Sequence, residues 1–215
     1  MSGHQPPVCA PPDLEVRAPR SPLPVGATDC HAHVFGRPER YPYAAARAYT
    51  PPAVFLDDYL AMHEAIGITR GVLVQSGVHG TDNSVILDAI REHPERLRGV
   101  ALLAQEITDA ALATLHDGGV RGFRSNLVAK TGVQLGAARA LAARVKALGW
   151  HVQFLLDVEE FPDLDEVFGD FPTEVVIDHM GRPDPRVGVQ GRGFQALLRL
   201  LRSGRAWAKL SAPYR

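Results

Sequence analysis

Two hydrophobic periods alternate along this chain. Short continuous runs rich in β-branched residues read as strands buried on both faces. They cover residues 27–34, 71–75, 97–103, 120–127, 151–156, 173–179 and 206–211. Between them apolar residues recur every three to four positions, which predicts helices over 53–66, 83–93, 109–117, 134–148, 164–168 and 193–202. In the fourth helix the spacing is carried by Leu135, Ala138, Leu141, Ala142, Val145 and Leu148. Asp82 or Thr81 is placed to cap the second helix and Pro94 to help end it. Strand and helix alternate throughout, which predicts a parallel sheet with right-handed crossovers.

Seven strands fit a (β/α)8 TIM barrel that is one strand short, since that fold has eight strands and about 250 residues. A doubly wound open sheet is the alternative, but no Gly-rich phosphate loop follows any strand. Residues 1–24 hold seven of the 17 prolines and read as an irregular Pro-rich arm, so the barrel domain is expected over 25–215.

Composition changes this picture little. The 215 residues carry a net charge of −1, with 46% hydrophobic and 22% charged residues, which is ordinary for a soluble domain. No apolar run approaches the roughly 18–20 residues of a membrane span. No basic stretch suggests nucleic acid. Cys9 and Cys30 form no disulfide framework, and no signal pattern opens the chain, so a reducing cytoplasm is the default expectation.

Candidate chemistry gathers at the strand ends. His31 and His33, two apart on a strand, share a face. Imidazoles so placed bind a metal, polarise a carbonyl or move a proton. Ser76 and His79 follow the second strand; Arg124, with Lys130 beyond it, ends the fourth. His179 ends the sixth, Ser211 and Arg215 follow the seventh, and Tyr49 lies in the loop after the first. A buried Arg124 needs an anionic partner, either a structural carboxylate or a substrate. His63, His93 and His116 fall in helix patterns and read as surface residues. His151 begins a strand and reads as structural, and Asp178 should point away from its neighbour His179. Imidazoles for a carbonyl and cations for carboxylates suit hydrolysis of an acidic ester or lactone.

The motifs DCHAHVFG, VLVQSGVHGTDN, GVRGFRSN, GWHVQF and VVIDHMGRPD, in this order, resemble the amidohydrolase superfamily. Within it they are most similar to the 2-pyrone-4,6-dicarboxylate lactonase group. The resemblance implies that His31, His33 and His179 polarise a lactone carbonyl. It implies that Arg124 and Arg215 hold substrate carboxylates, and that Tyr49 and Ser76 line the pocket. Lys130 stands where the group carries an arginine, keeping the charge and losing the bidentate fork. HVQFLLD offers no histidine at the end of strand five, which favours a metal-independent enzyme without cofactor, with a weak divalent site on His31, His33 and His179 as the alternative. The expected partner is a small carboxylated lactone. The superfamily's general-base aspartate follows strand eight, which lies beyond this sequence. A fragment of a longer protein, a shortened and non-catalytic dicarboxylate-binding remnant, and a base supplied by another group are the three explanations. A metal-dependent lactonase or decarboxylase is the functional alternative.

Overall fold

A computed structural model describes residues 6–212, which form two compact units. The first comprises residues up to 102 together with 113–120. It contains β1 (Thr28–Ala32), α1 (Leu56–Ile66), β2 (Arg70–Val74), α2 (Ser84–Glu92) and β3 (Leu97–Leu102). β1 runs parallel to β2 and β2 parallel to β3. Ile86, Ala89 and Ile90 of α2 pack with Leu73, Leu97 and Tyr59 into a core. Helix α2 is tied to the sheet by Asn83. Its carboxamide donates to the carbonyl of Leu102 (2.8 Å) and accepts from the Leu102 N–H (3.0 Å), and Asp82 takes over the capping of Ser84 (2.9 Å).

β1 ends earlier than its hydrophobic pattern suggests, and it carries a bulge. Asp29 pairs with Gly71 but Ala32 with Leu73, so three residues of β1 span two of β2. The extra residue overturns the strand alternation. Asp29 bonds α1, accepting from Tyr59 Oη (3.1 Å) and lying 3.5 Å from His63 Nε2. His63 is fully buried, which corrects the surface reading: it sits on the face of α1 that covers β1. Burial alone would raise the Asp29 carboxyl, but bonds from His63, the His31 N–H and Tyr59 outweigh it and hold it below its ordinary value. The arm is docked beside Thr50: Val8 bridges Thr50, with Cys9 N–H to Thr50 O at 2.9 Å and Thr50 N–H to Pro7 O at 2.8 Å.

The helix α3 (Asp109–Asp117) leads to the second unit, residues 103–112 and 121–212. Here β4 (Val120–Asn126), α4 (Leu135–Val145), β5 (His151–Leu155), α5 (Leu164–Gly169), β6 (Val175–Ile177), α6 (Arg192–Arg202) and β7 (Ala206–Ala208) alternate, and β4 through β7 pair in parallel in that order. Phe123, Phe154, Phe168 and Phe171 fill the core, with the Phe154 and Phe168 rings 4.7 Å apart. Only glycine fits at position 193, where a Cβ would lie 1.9 Å from the Val158 carbonyl oxygen, so α6 can start against that backbone. No helix among the described residues is long and apolar enough to cross a membrane.

His151, at the start of β5, lies against Gly122 of β4. Burial, with Lys209 nearby, pushes its imidazole down from 6.5 to about 4. The folded chain therefore keeps His151 neutral at a pH where the unfolded chain protonates it. Stability should be full above pH 6.5 and fall as pH drops toward 4, by about 2–3 kcal/mol. Urea unfolding across this window checks the loss, and His151→Gln should flatten it; an equally steep profile in the variant would assign the acid sensitivity elsewhere.

Candidate active site

In the first unit the candidates surround the ends of β1 and β2. His33 lies just past β1, and its Nδ1 is 2.7 Å from the Val74 carbonyl at the end of β2. A carbonyl only accepts, so Nδ1 carries the hydrogen and Nε2 is the acceptor of the neutral ring. The His31 ring meets His33 edge-on, with centroids 5.2 Å apart, and the His31 N–H donates to Asp29 Oδ1 (2.9 Å). Tyr49 Oη lies 3.0 Å from Ser76 Oγ, which also accepts from the Val78 N–H (3.3 Å). Because Thr50 carries the arm, Tyr49 is held from both sides.

His79, a strand-end candidate, is 95% withdrawn from solvent by its 5% exposure. Tyr43 (5.3 Å) and Phe35 (6.4 Å) flank its ring, and Nδ1 reaches the Pro42 carbonyl at 3.4 Å. Burial lowers its imidazole below the ordinary histidine value, against the opposing bond to the Pro42 carbonyl.

In the second unit a buried polar layer crosses the strands. Arg124 Nε of β4 donates to Asp178 Oδ2 (2.9 Å), and Gln153 Nε2 of β5 donates to the same oxygen (3.0 Å). Lys209, just past β7, donates to Gln153 Oε1 (2.6 Å) and stands 3.6 Å from Asp178 Oδ1. The anionic partner that buried Arg124 requires is thus Asp178, which is fully buried. Asp178 turns inward because β6 stops at Ile177 and strand alternation no longer applies beyond it. Gln153 and Lys209 are not among the strand-end candidates of the sequence. The signal was a polar residue in the middle of the buried strand HVQFL and a lysine immediately after β7.

His179 opens a run of left-handed residues: His179 (φ 53°), Met180 (56°), Gly181 (71°) and Arg182 (51°). Each non-glycine residue there costs about 1 kcal/mol, so the turn persists only because its surroundings impose it. A Cβ on Gly181 would approach Val158 Cγ1 to 2.2 Å. Arg182 pairs with Asp157 at 2.9 Å, and His179 Nδ1 lies 2.8 Å from Ser211 Oγ. Lys130 is exposed, at the left-handed corner of a tight turn in which Asn126 and Thr131 exchange backbone bonds. Arg215 lies outside the described residues.

The sequence matches the family described as Amidohydrolase over residues 28–215. It is 39% identical over 200 residues to a 2-pyrone-4,6-dicarboxylate hydrolase of Comamonas testosteroni, covering 92% of this chain and 66% of that protein. It is 35% identical over 192 residues to a 4-sulfomuconolactone hydrolase of Rhizobium radiobacter, covering 88% and 64%. The chain thus spans just under two thirds of the length of these curated relatives. A crystal structure from Pseudomonas putida, described as a candidate 2-pyrone-4,6-dicarboxylic acid hydrolase, superposes with a TM-score of 0.77 at 38% identity, over 90% of this chain and 71% of that one. The fold class is that of the amidohydrolase-type (β/α) barrel, with seven parallel strands among the described residues.

Proposed function

Because the chain belongs to the amidohydrolase family, we propose that it forms the greater part of a hydrolase that opens a small carboxylated lactone, the substrate type for which its relatives are named. One observation carries the reading. The imidazoles of His33 and His179 each have Nδ1 occupied by a neighbour, the Val74 carbonyl and the Ser211 hydroxyl, so Nε2 is the reacting atom of each ring.

In this reaction water adds to the lactone carbonyl, and charge builds on the carbonyl oxygen. His31 and His179 stabilise that charge by hydrogen bonding, and His33, whose neutral ring offers only an acceptor at Nε2, takes a hydrogen bond from the attacking water. The acyl carbon–ring oxygen bond then breaks, leaving a carboxylate and, at the former ring oxygen, a hydroxyl or its enol form. Arg124, Lys130 and Arg215 hold the substrate's own carboxylates, and Tyr49 and Ser76 line the pocket. Arg124 gives Nε to Asp178, so its terminal nitrogens are the ones that address a substrate.

The test is the loss of ultraviolet absorbance of 2-pyrone-4,6-dicarboxylate on incubation with the protein. Turnover is expected, and Arg124→Lys should raise KM about tenfold while keeping the charge that Asp178 needs. A folded protein that neither consumes nor binds the lactone would remove the lactonase reading, and binding without turnover would select the dicarboxylate-binding remnant.

The neutral His33 ring, with Nδ1–H on a carbonyl, also has the arrangement of a metal-ligating histidine. A divalent ion held by His31, His33 and His179 would act as a Lewis acid on the same carbonyl. Activity abolished by a chelator and restored by added zinc or manganese would select this metal-dependent reading, and carbon dioxide release would select a decarboxylase.

A further inference from the structure

The partners of the two oriented imidazoles differ in kind. Val74 offers His33 a carbonyl, which can only accept, so the neutral His33 ring is locked with Nδ1–H. Ser211 offers His179 a hydroxyl, which rotates and can donate or accept. When His179 is neutral the hydroxyl can donate to Nδ1 and leave the hydrogen on Nε2. When the ring is protonated the hydroxyl can turn and accept from Nδ1–H, without movement of either side chain. A neutral His179 can therefore donate from Nε2, whereas a neutral His33 cannot.

The backbone puts this hydroxyl in place. The Lys209 N–H donates to the Ile177 carbonyl (2.9 Å), and the Met180 N–H donates to the Lys209 carbonyl (3.0 Å). These bonds clamp the chain after β7 against both sides of His179. The left-handed turn closes with the Arg182 N–H on the His179 carbonyl (2.9 Å). Ser211, two residues past Lys209, is thereby held at His179; His179 is buried and Ser211 half-buried.

We propose that Ser211 is a positioning residue for His179: its hydroxyl holds the ring through Nδ1 and, by donating there, supports the tautomer whose Nε2–H donates to the carbonyl oxygen of the substrate, a tautomer that the Val74 carbonyl denies to neutral His33. The inference rests on the lactone reading for the identity of that carbonyl, but the Ser211–His179 contact is testable without it. His33 and His179 then have different roles, His179 donating as the neutral imidazole and His33 accepting.

Long-range proton–nitrogen spectra of the 15N-histidine-labelled chain, recorded above the imidazole titration range, distinguish the two tautomers. His33→Gln and His179→Gln assign the signals. The expected spectrum has His33 as Nδ1–H and His179 as Nε2–H. Ser211→Ala should shift His179 toward a mixture and lower kcat about 10- to 100-fold with little change in KM. Ser211→Thr, which keeps the hydroxyl, should retain both the tautomer and the rate. An unchanged His179 tautomer in Ser211→Ala, or an unchanged kcat, would overturn the proposal. A wild-type chain that opens no lactone, yet whose His179 tautomer changes in Ser211→Ala, would uphold the contact and overturn the lactone reading.

Discussion

Asp178→Asn is expected to lower the free energy of unfolding by about 3–5 kcal/mol. The carboxylate is fully buried, and the Arg124 side chain beside it is only 6% exposed. Arg124 Nε and Gln153 Nε2 both donate to Oδ2, and the ammonium of Lys209 stands by Oδ1. An asparagine carboxamide removes the charge that offsets two cations. It also has one acceptor oxygen where two served, and its amide hydrogens would face other donors. The penalty comes mostly from the buried arginine left without a counter-charge, and less from the lost attraction. Replacing both partners by apolar residues, Arg124→Met with Asp178→Leu, should therefore cost less than Asp178→Asn alone. Urea denaturation at constant m-value measures each variant. A loss below about 1 kcal/mol for Asp178→Asn would mean that the layer tolerates an uncompensated charge.

The second large effect is on rate. His33→Ala should reduce kcat/KM toward lactone by about 10³-fold, or roughly 4 kcal/mol of transition-state stabilisation. On the proposed reading the truncation removes a reacting imidazole. It also releases the bond from Nδ1 to the Val74 carbonyl (2.7 Å), which should cost stability about 1 kcal/mol. Rate and stability thus separate: steady-state kinetics should show the large change while thermal unfolding shifts by a few degrees. Activity within threefold of wild type would exclude His33 from the chemistry and leave it as a clamp between β1 and β2.

Much of the architecture was legible in the sequence because it follows from local periodicity. The order of strands and helices agrees with the hydrophobic pattern throughout, and the fourth helix lies at Leu135–Val145 with a short turn after it. Boundaries moved where side-chain bonds compete with the ladder. β1 stops at Ala32, before the His33–Val74 bond, and β6 stops at Ile177, before the left-handed turn at His179. His63 was misread because an 11-residue helix with weak amphipathic contrast does not declare which of its polar residues lies inward.

The sequence by itself determined the alternating α/β order, the Pro-rich segment ahead of it, and the clustering of imidazole and cationic side chains after strands. These depend on spacing along one element, where a residue's neighbours are set by a period of 2 or 3.6. Only the tertiary structure decided which charge answers which. It set Asp29 beside His63 of α1, brought Asp178, just past β6, to Arg124 on β4, and set Ser211 against His179 across 32 residues of chain. Such pairings depend on how strands register against one another and where each one ends. A shift of one residue reverses the side a chain presents, and no local period encodes that shift.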